Sequence, residues 1–298
     1  MFASTVNTQF DADPKRYRWA ADWALGLAVV LEACTGLFPA LFLPVAALAN
    51  VGKNVAWISA SATRASIHQS FAKQKNLADI TAKAASQTVA ASVAGTVLGV
   101  SLTPLLNQQA ELQVAAAALL SCGHVFFSYC GLQAVVLSTL NPQRACRAVA
   151  PAALLSDDFA WALLAGPAQV AAAESFAWAA DDANIVVGAS VELFDGAAVQ
   201  AASDSAARRA DGHLIFALAD RVHVLYLVHA TPEQVLRGFI HALLVSKRFS
   251  GNTEAARQWM SDQGLDDARL LAALSAAGWD CKHLFIESRR ARLSLKCA

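Results

Sequence analysis

The chain has 298 residues, of which 56% are hydrophobic and 15% charged, and its net charge at pH 7 is zero. That length is room for one large domain or two ordinary ones with a real core. A neutral chain argues against a nucleic-acid binder that works by phosphate neutralisation. Six cysteines without a CxxC pair argue against a disulfide framework and for a reducing compartment.

In chain order, residues 1–16 read as a loose tail, too polar for a secretory signal, with Pro14 marking the approach to the first helix. Residues 17–147 read as a helical core with about three candidate membrane spans. Three stretches carry no Asp, Glu, Lys or Arg: Ala33–Gly52, Ala84–Ala110 and Leu112–Gln143. Uncharged apolar runs of about 18 residues or more are the mark of membrane spans, although a large alanine-rich core would also supply them. Pro39 and Pro44 are expected to kink or break the helices around them. Residues 61–75 are polar and basic and read as a loop. The next helix is capped by Asn76, with Asp79 as a capping-box partner, and runs from Leu77 until Pro104 stops it. Another apolar helix is expected from Leu112 to Leu140. If three segments cross, Lys53, Arg64, Lys73, Lys75, Lys83, Arg144 and Arg147 share one side, the cytoplasmic side or its equivalent.

Residues 148–183 form an acidic, alanine-rich connection; every charged residue from Ala148 to Ala207 is acidic. Residues 184–298 read as a small α+β domain. Strand-like runs occupy 184–193, 213–220 and 221–228, the last two pairing as a hairpin. Thr231, Pro232 and Gln234 announce a helix to about Arg248, helices follow near 253–263 and 265–277, and 278–287 reads as a final strand. Arg289, Arg290, Arg292 and Lys296 make a basic tail, either solvated or touching anionic lipid. The expected fold class is thus an α-helical, membrane-type N-terminal region followed by a small α+β C-terminal domain.

The polar candidates gather around residues 64–87. Asp79, Lys83 and Gln87 follow one another at i, i+4 on one face, one turn after Asn76. Exposed, they are a solvated helix end; near a membrane midplane they would be functional. Arg64 and His68 share a face at the same spacing, suited to an anionic headgroup or phosphate or else to a plain basic loop. Ala91, Gly95 and Gly99 form a small-residue row on which another helix can pack closely. A single helical lysine is no evidence for a Schiff base at Lys83. Cys122 and His124 do not share a helix face, and His213, His223 and His229 read as ordinary strand-edge histidines. No metal site and no cofactor is expected. No GxSxG, Walker loop, GxGxxG or HExxH is present, so no catalytic reading has support.

At this stretch the sequence resembles the root UVB sensitive (RUS) family. The resemblance rests on "ATRA" (62–65), "FA" (71–72), Asn76, "AD" (78–79), "AK" (82–83), "SQ" (86–87), Gly95 and Gly99. It is extended by the lead-in "RYRWAADW…LFPALF" and by "PEQVLRGFIHALLV" (232–245) with "GWDCKHLF", so that it runs from about residue 13 to 288. Ser70 stands where the family usually has His, Ala85 where it commonly has Gly, and a "GMLG"-like N-terminal segment is not found. The resemblance implies a membrane- or plastid-associated protein linked to UV-B response, early development, vitamin B6 homeostasis and auxin transport, with no enzymatic reaction. It marks Asn76, Asp79, Lys83, Ser86 and Gln87 as the functional surface, to which the shared face of Arg64 and His68 is added. The expected partners are membrane lipid and related chains in an oligomer, in a plastid or endomembrane location. Scaffold or regulator is the leading expectation, transporter of a small metabolite the alternative.

Overall fold

The computed structural model describes residues 9–72, 74, 76–106, 109–155, 157–176, 184–209, 211–218, 220–287 and 292–293. Lys73, Lys75, Asp181, Asp182, Arg289, Arg290, Lys296, Cys297 and the first eight residues of the tail lie outside that set. The chain divides into two units, residues 1–135 and 136–298.

The first unit is helical: α1 (Pro14–Ala33), α2 (Phe42–Phe71), α3 (Leu77–Leu106) and α4 (Ala110–Gln133). Pro14 opens α1 at its first position, where its missing donor has no partner to lose. Pro39 starts a 3-10 turn that runs into α2, and Pro44 falls in the first turn of α2. First-turn amides need no intrahelical acceptor, so the expected break at Pro44 does not occur. The expected loop over 61–75 is corrected as well, because α2 continues through Phe71 and carries Arg64 and His68. Pro104 does not stop α3, which runs on to Leu106 with the proline inside it.

α1 packs on both α2 and α4 through small residues. A Cβ on Gly52 would lie 3.2 Å from the Ala28 Cβ, and one on Gly26 would lie 3.3 Å from that of Ser121. Ala21, Ala56 and Ala60 form a small buried core against Ala24 and Leu25. The Lys53–Glu32 ion pair at 2.8 Å joins α2 to α1 further along. None of the 30 residues of α3 is buried. Among the described residues three helical segments are long and apolar enough to cross a membrane: Pro39–Phe71, Leu77–Leu106 and Ala110–Gln133.

The expected helix to Leu140 ends instead at Gln133. The run "AVVLSTL" is β-branched and favours extended backbone, and it buries Leu137 and Leu140. The second unit thus begins with a short strand, β1 (Thr139–Leu140), and α5 (Pro142–Leu154). α6 (Pro167–Ala173), β2 (Ile185–Val187), α7 (Gly196–Arg209), β3 (His213–Leu218) and β4 (Arg221–Leu227) follow. The unit closes with α8 (Pro232–Lys247), α9 (Thr253–Asp262), α10 (Asp267–Ala276), β5 (Asp280–Leu284) and β6 (Arg292–Leu293). The strand expected over 184–193 is confined to β2, a 3-10 turn taking over at Val191–Leu193.

β3 and β4 pair antiparallel from His213↔Tyr226 to Leu218↔Arg221, the expected hairpin. β2 and β6 lie parallel to β4, and β1 pairs with β5. Thr231 and Gln234 form the reciprocal cap of α8. α8 is the core of the unit and buries ten residues, among them Leu236, Phe239, Ile240, Leu243 and Leu244. A Cβ on Gly238 would come within 2.7 Å of the His213 ring and 2.9 Å of Tyr226, so glycine is what lets α8 lie this close to the sheet.

Candidate functional site

The strongest polar constellation of the helical unit starts on α1. Asp22 is buried; its Oδ2 accepts from Arg18 Nε at 3.3 Å and from the Ser128 hydroxyl, and its Oδ1 faces His124 Nε2 at 3.4 Å. A lone buried carboxylate would be costly, and these partners from α1 and α4 supply its compensation. Next to this knot lies a cavity of about 460 Å³ whose polar wall is Arg18, Arg64, His68, Gln87, Thr88 and Ser128. Ile67, Ala91, Leu132 and Val135 give the rest of it an apolar lining.

Arg64 and His68 reach the cavity together because i and i+4 share a face of α2. The Thr81 hydroxyl meets His68 Nδ1 at 3.4 Å, tying α3 to α2. Two hydroxyls on the wall are already committed, Thr88 donating to the Ala84 carbonyl at 2.9 Å and Ser128 to Asp22. The remaining donors are therefore the two guanidinium groups, the Gln87 amide and the His68 ring.

Of the residues marked in the sequence, Arg64, His68, Gln87 and Ala91 meet at this cavity, whereas Asn76, Asp79, Lys83, Ser86, Gly95 and Gly99 do not line it. Asp79 and Lys83 pair at 2.9 Å with side chains 56% and 73% exposed. Ser86 donates to the Ala82 carbonyl at 3.0 Å. A Cβ on Gly95 or Gly99 would meet nothing within 4 Å, and the close helix approaches fall at Gly26 and Gly52 instead. The sequence reading missed Arg18, Asp22, Thr88 and Ser128. Its available signal was a lone acid four residues after an arginine, in a stretch otherwise rich in Ala and Trp.

The second unit holds two buried polar clusters. Arg144 and Glu174 pair at 2.9 Å with both side chains 1% exposed, and Arg144 Nε donates to the Thr139 carbonyl at 2.6 Å. His213 and His241 are buried, and His213 Nε2 lies 3.2 Å from His241 Nδ1. His241 Nε2 lies 2.9 Å from the Thr253 carbonyl, which can only accept. His241 therefore carries its proton on Nε2 and receives one from His213. Burial pushes the His241 pKa down to about 4, so the ring is neutral at pH 7. The strand-edge reading of the histidines holds for His213, which opens the edge strand β3 although it is buried, and is corrected for His223, which is buried on the central strand; His229 is exposed. Among the described residues no group of three or more His, Cys, Asp or Glu is placed to hold a metal ion.

Residues 1–153, half of the chain, match the family model described as the vitamin B6 photo-protection and homoeostasis domain. The chain belongs to the root UVB sensitive family. It is 37% identical to protein root UVB sensitive 2, chloroplastic, of Arabidopsis thaliana over 150 residues, 50% of this chain and 35% of the relative. Identity to root UVB sensitive 6 of the same plant is 39% over 144 residues, 48% of this chain and 28% of the relative. Protein root UVB sensitive 3 is 25% identical over 311 residues, covering 97% of this chain and 67% of the relative. The chain thus spans about a third of the length of the first two relatives. No solved structure matches it. All the cavity's lining residues fall within the matched segment.

Proposed function

We propose that this RUS family chain is a membrane-embedded, non-catalytic scaffold or regulator. It would act in UV-B response, early development and vitamin B6 homeostasis, in a plastid or endomembrane. One observation carries the reading: α3 is long and apolar enough to cross a membrane, and not one of its 30 residues is buried. A helix that exposes Val93, Val97 and Val100 on one face and Leu98 on the far side is at odds with water and at ease in hydrocarbon. Its hydroxyls support the same environment. Ser86, Thr88, Thr96, Ser101 and Thr103 each donate to the carbonyl four residues back, leaving few unsatisfied polar atoms for lipid to meet. The chloroplastic relative favours the plastid. The row Ala91, Gly95 and Gly99, open in the single chain, suits a partner helix from a related chain.

Carbonate extraction of the expressed chain tests the membrane reading: retention in the pellet is expected, and release into the supernatant would overturn it. Loss of co-purified family members on Gly95→Leu, with the chain still membrane-bound, is expected of a scaffold. The cavity of Arg18, Arg64, His68 and Gln87 favours a second reading, a carrier of a small polar metabolite. Solute flux in reconstituted vesicles abolished by Arg64→Gln or Gln87→Leu would favour that reading over the first.

A further inference from the structure

We propose that the cavity shared by α1, α2, α3 and α4 binds a phosphomonoester, with Arg64 as its principal ligand and Arg18 and Gln87 as supporting donors. The inference stands on the cavity alone; a regulator that senses such a compound and a carrier that moves one would need the same site.

Charge is the first argument. Two guanidinium groups line the cavity and no carboxylate does. Asp22 offsets Arg18 only through Nε, which leaves the terminal nitrogens of that fork. Arg64, half-buried on α2, makes no hydrogen bond or ion pair with a described residue. A permanently charged group on the cavity wall, with no counter-charge among the described residues, is suited to receive an anion.

Donor geometry is the second argument. Arg18, Arg64 and Gln87 approach from three different helices, and the two wall hydroxyls have spent their protons on Ala84 and Asp22. A planar carboxylate offers two oxygens in one plane and suits a single fork. A tetrahedral phosphate presents three terminal oxygens that donors from three directions can share. Size is the third. About 460 Å³ is far more than inorganic phosphate fills and falls in the range of small-molecule sites, and the apolar lining suits an organic body on the ester. A soluble metabolite and a lipid headgroup share this chemistry.

Binding to the full chain, purified in mild detergent, separates the two sources. Glycerol 3-phosphate is titrated calorimetrically, with glycerol as the uncharged control, and phosphatidic acid is presented in phosphatidylcholine nanodiscs. Saturable binding of glycerol 3-phosphate identifies a metabolite site; saturable binding of phosphatidic acid alone identifies a headgroup site. In either case Arg64→Gln should weaken binding about tenfold or more, since it removes a charge-assisted contact. Gln87→Leu should weaken it several-fold, and Lys83→Gln, outside the cavity, should leave it unchanged. Gln87 belongs to a helix with no buried residue, so its variant folds and keeps the test sharp if Arg64→Gln does not. The proposal is overturned if neither probe saturates, if the Arg64 and Gln87 variants bind as the native chain does, or if Lys83→Gln weakens binding as much as they do. None of these readouts depends on where the chain resides, so failure here and failure of carbonate retention are distinguishable.

Discussion

Leu243 and Val93 are both aliphatic residues near the middle of long helices, yet Leu243 is wholly enclosed and Val93 is 60% exposed. The contrast extends to the helices that carry them. α8 sorts its side chains by face, burying ten residues against the sheet and its neighbours, whereas α3 is largely apolar beyond its first turns and buries none. α8 draws its apolar surroundings from its own unit. α3 has no such surroundings among the described residues, and on the proposed reading lipid or another chain supplies them. Cations differ as well: in the C-terminal unit Arg144 is buried against Glu174, whereas in the helical unit Arg18 and Arg64 line an open cavity.

This comparison can be broken from either side. The largest effect is expected at the buried pair of the C-terminal unit. Glu174→Ala strands the Arg144 guanidinium and should cost about 3–5 kcal/mol, read as earlier labelling of the buried Cys146 thiol in a urea series. Replacing both ions, Arg144→Met with Glu174→Leu, should recover most of that loss; equal damage in the double variant would deny the pair this role.

Val93→Lys places a charge near the centre of α3. If hydrocarbon surrounds it, insertion should become less favourable by about 2.5–3.5 kcal/mol, seen as reduced membrane integration in a glycosylation-reporter assay. In water the same exposed substitution should change stability by no more than about 0.5 kcal/mol, so the assay discriminates directly.

Acid should loosen the C-terminal unit in a defined window. Burial holds the folded-state pKa of His241 at about 4, below the usual value of 6.5. Between those values the unfolded chain binds the extra proton, so stability is complete above about pH 6.5 and falls as pH drops towards 4. The loss should total about 3 kcal/mol, and His241→Asn should flatten it in Cys146 labelling followed against pH. His213, Arg257, Asp211, Arg237 and Thr253 surround or act on this ring and stay in place in that variant. Asp267, whose carboxyl burial pushes up, contributes with the opposite sign.

The smallest effect belongs to the exposed end of α3. Asp79→Ala removes a pair that both partners hold largely in solvent, and helix stability should fall by only about 0.2–0.5 kcal/mol. A larger loss would mean that the pair is enclosed by something outside this chain.

Local chemistry made part of this legible from the sequence. The β3–β4 hairpin, the cap at Thr231 and Gln234, the Asp79–Lys83 pair and the uncharged runs all follow from residues close together in the chain. The helix ends at Pro104 and Gln133 were misplaced for opposite reasons. One proline costs a single donor and does not end a helix that needs two more residues, whereas a β-branched run becomes strand when a neighbouring strand is available. The core of the candidate site was not legible, since Ser128 reaches an aspartate 106 residues away and only the packing of α1 on α4 brings them together. Arg64, His68 and Gln87 could be singled out, but not their convergence with Arg18. For the same reason, the pairing of His213 with His241, 28 residues apart, had no sequence signal.

The hydroxyls of α3 have a consequence for assembly. A serine or threonine bonded to its own preceding turn can release that carbonyl and turn the same hydrogen towards a neighbouring helix, with the bond count unchanged. Thr96 and Thr103, each one residue from a glycine of the open row or four residues from it, are placed for such an exchange. α3 is thereby equipped to be solitary or paired without ever exposing an unbonded donor, so that association and separation are both chemically uneventful for its backbone.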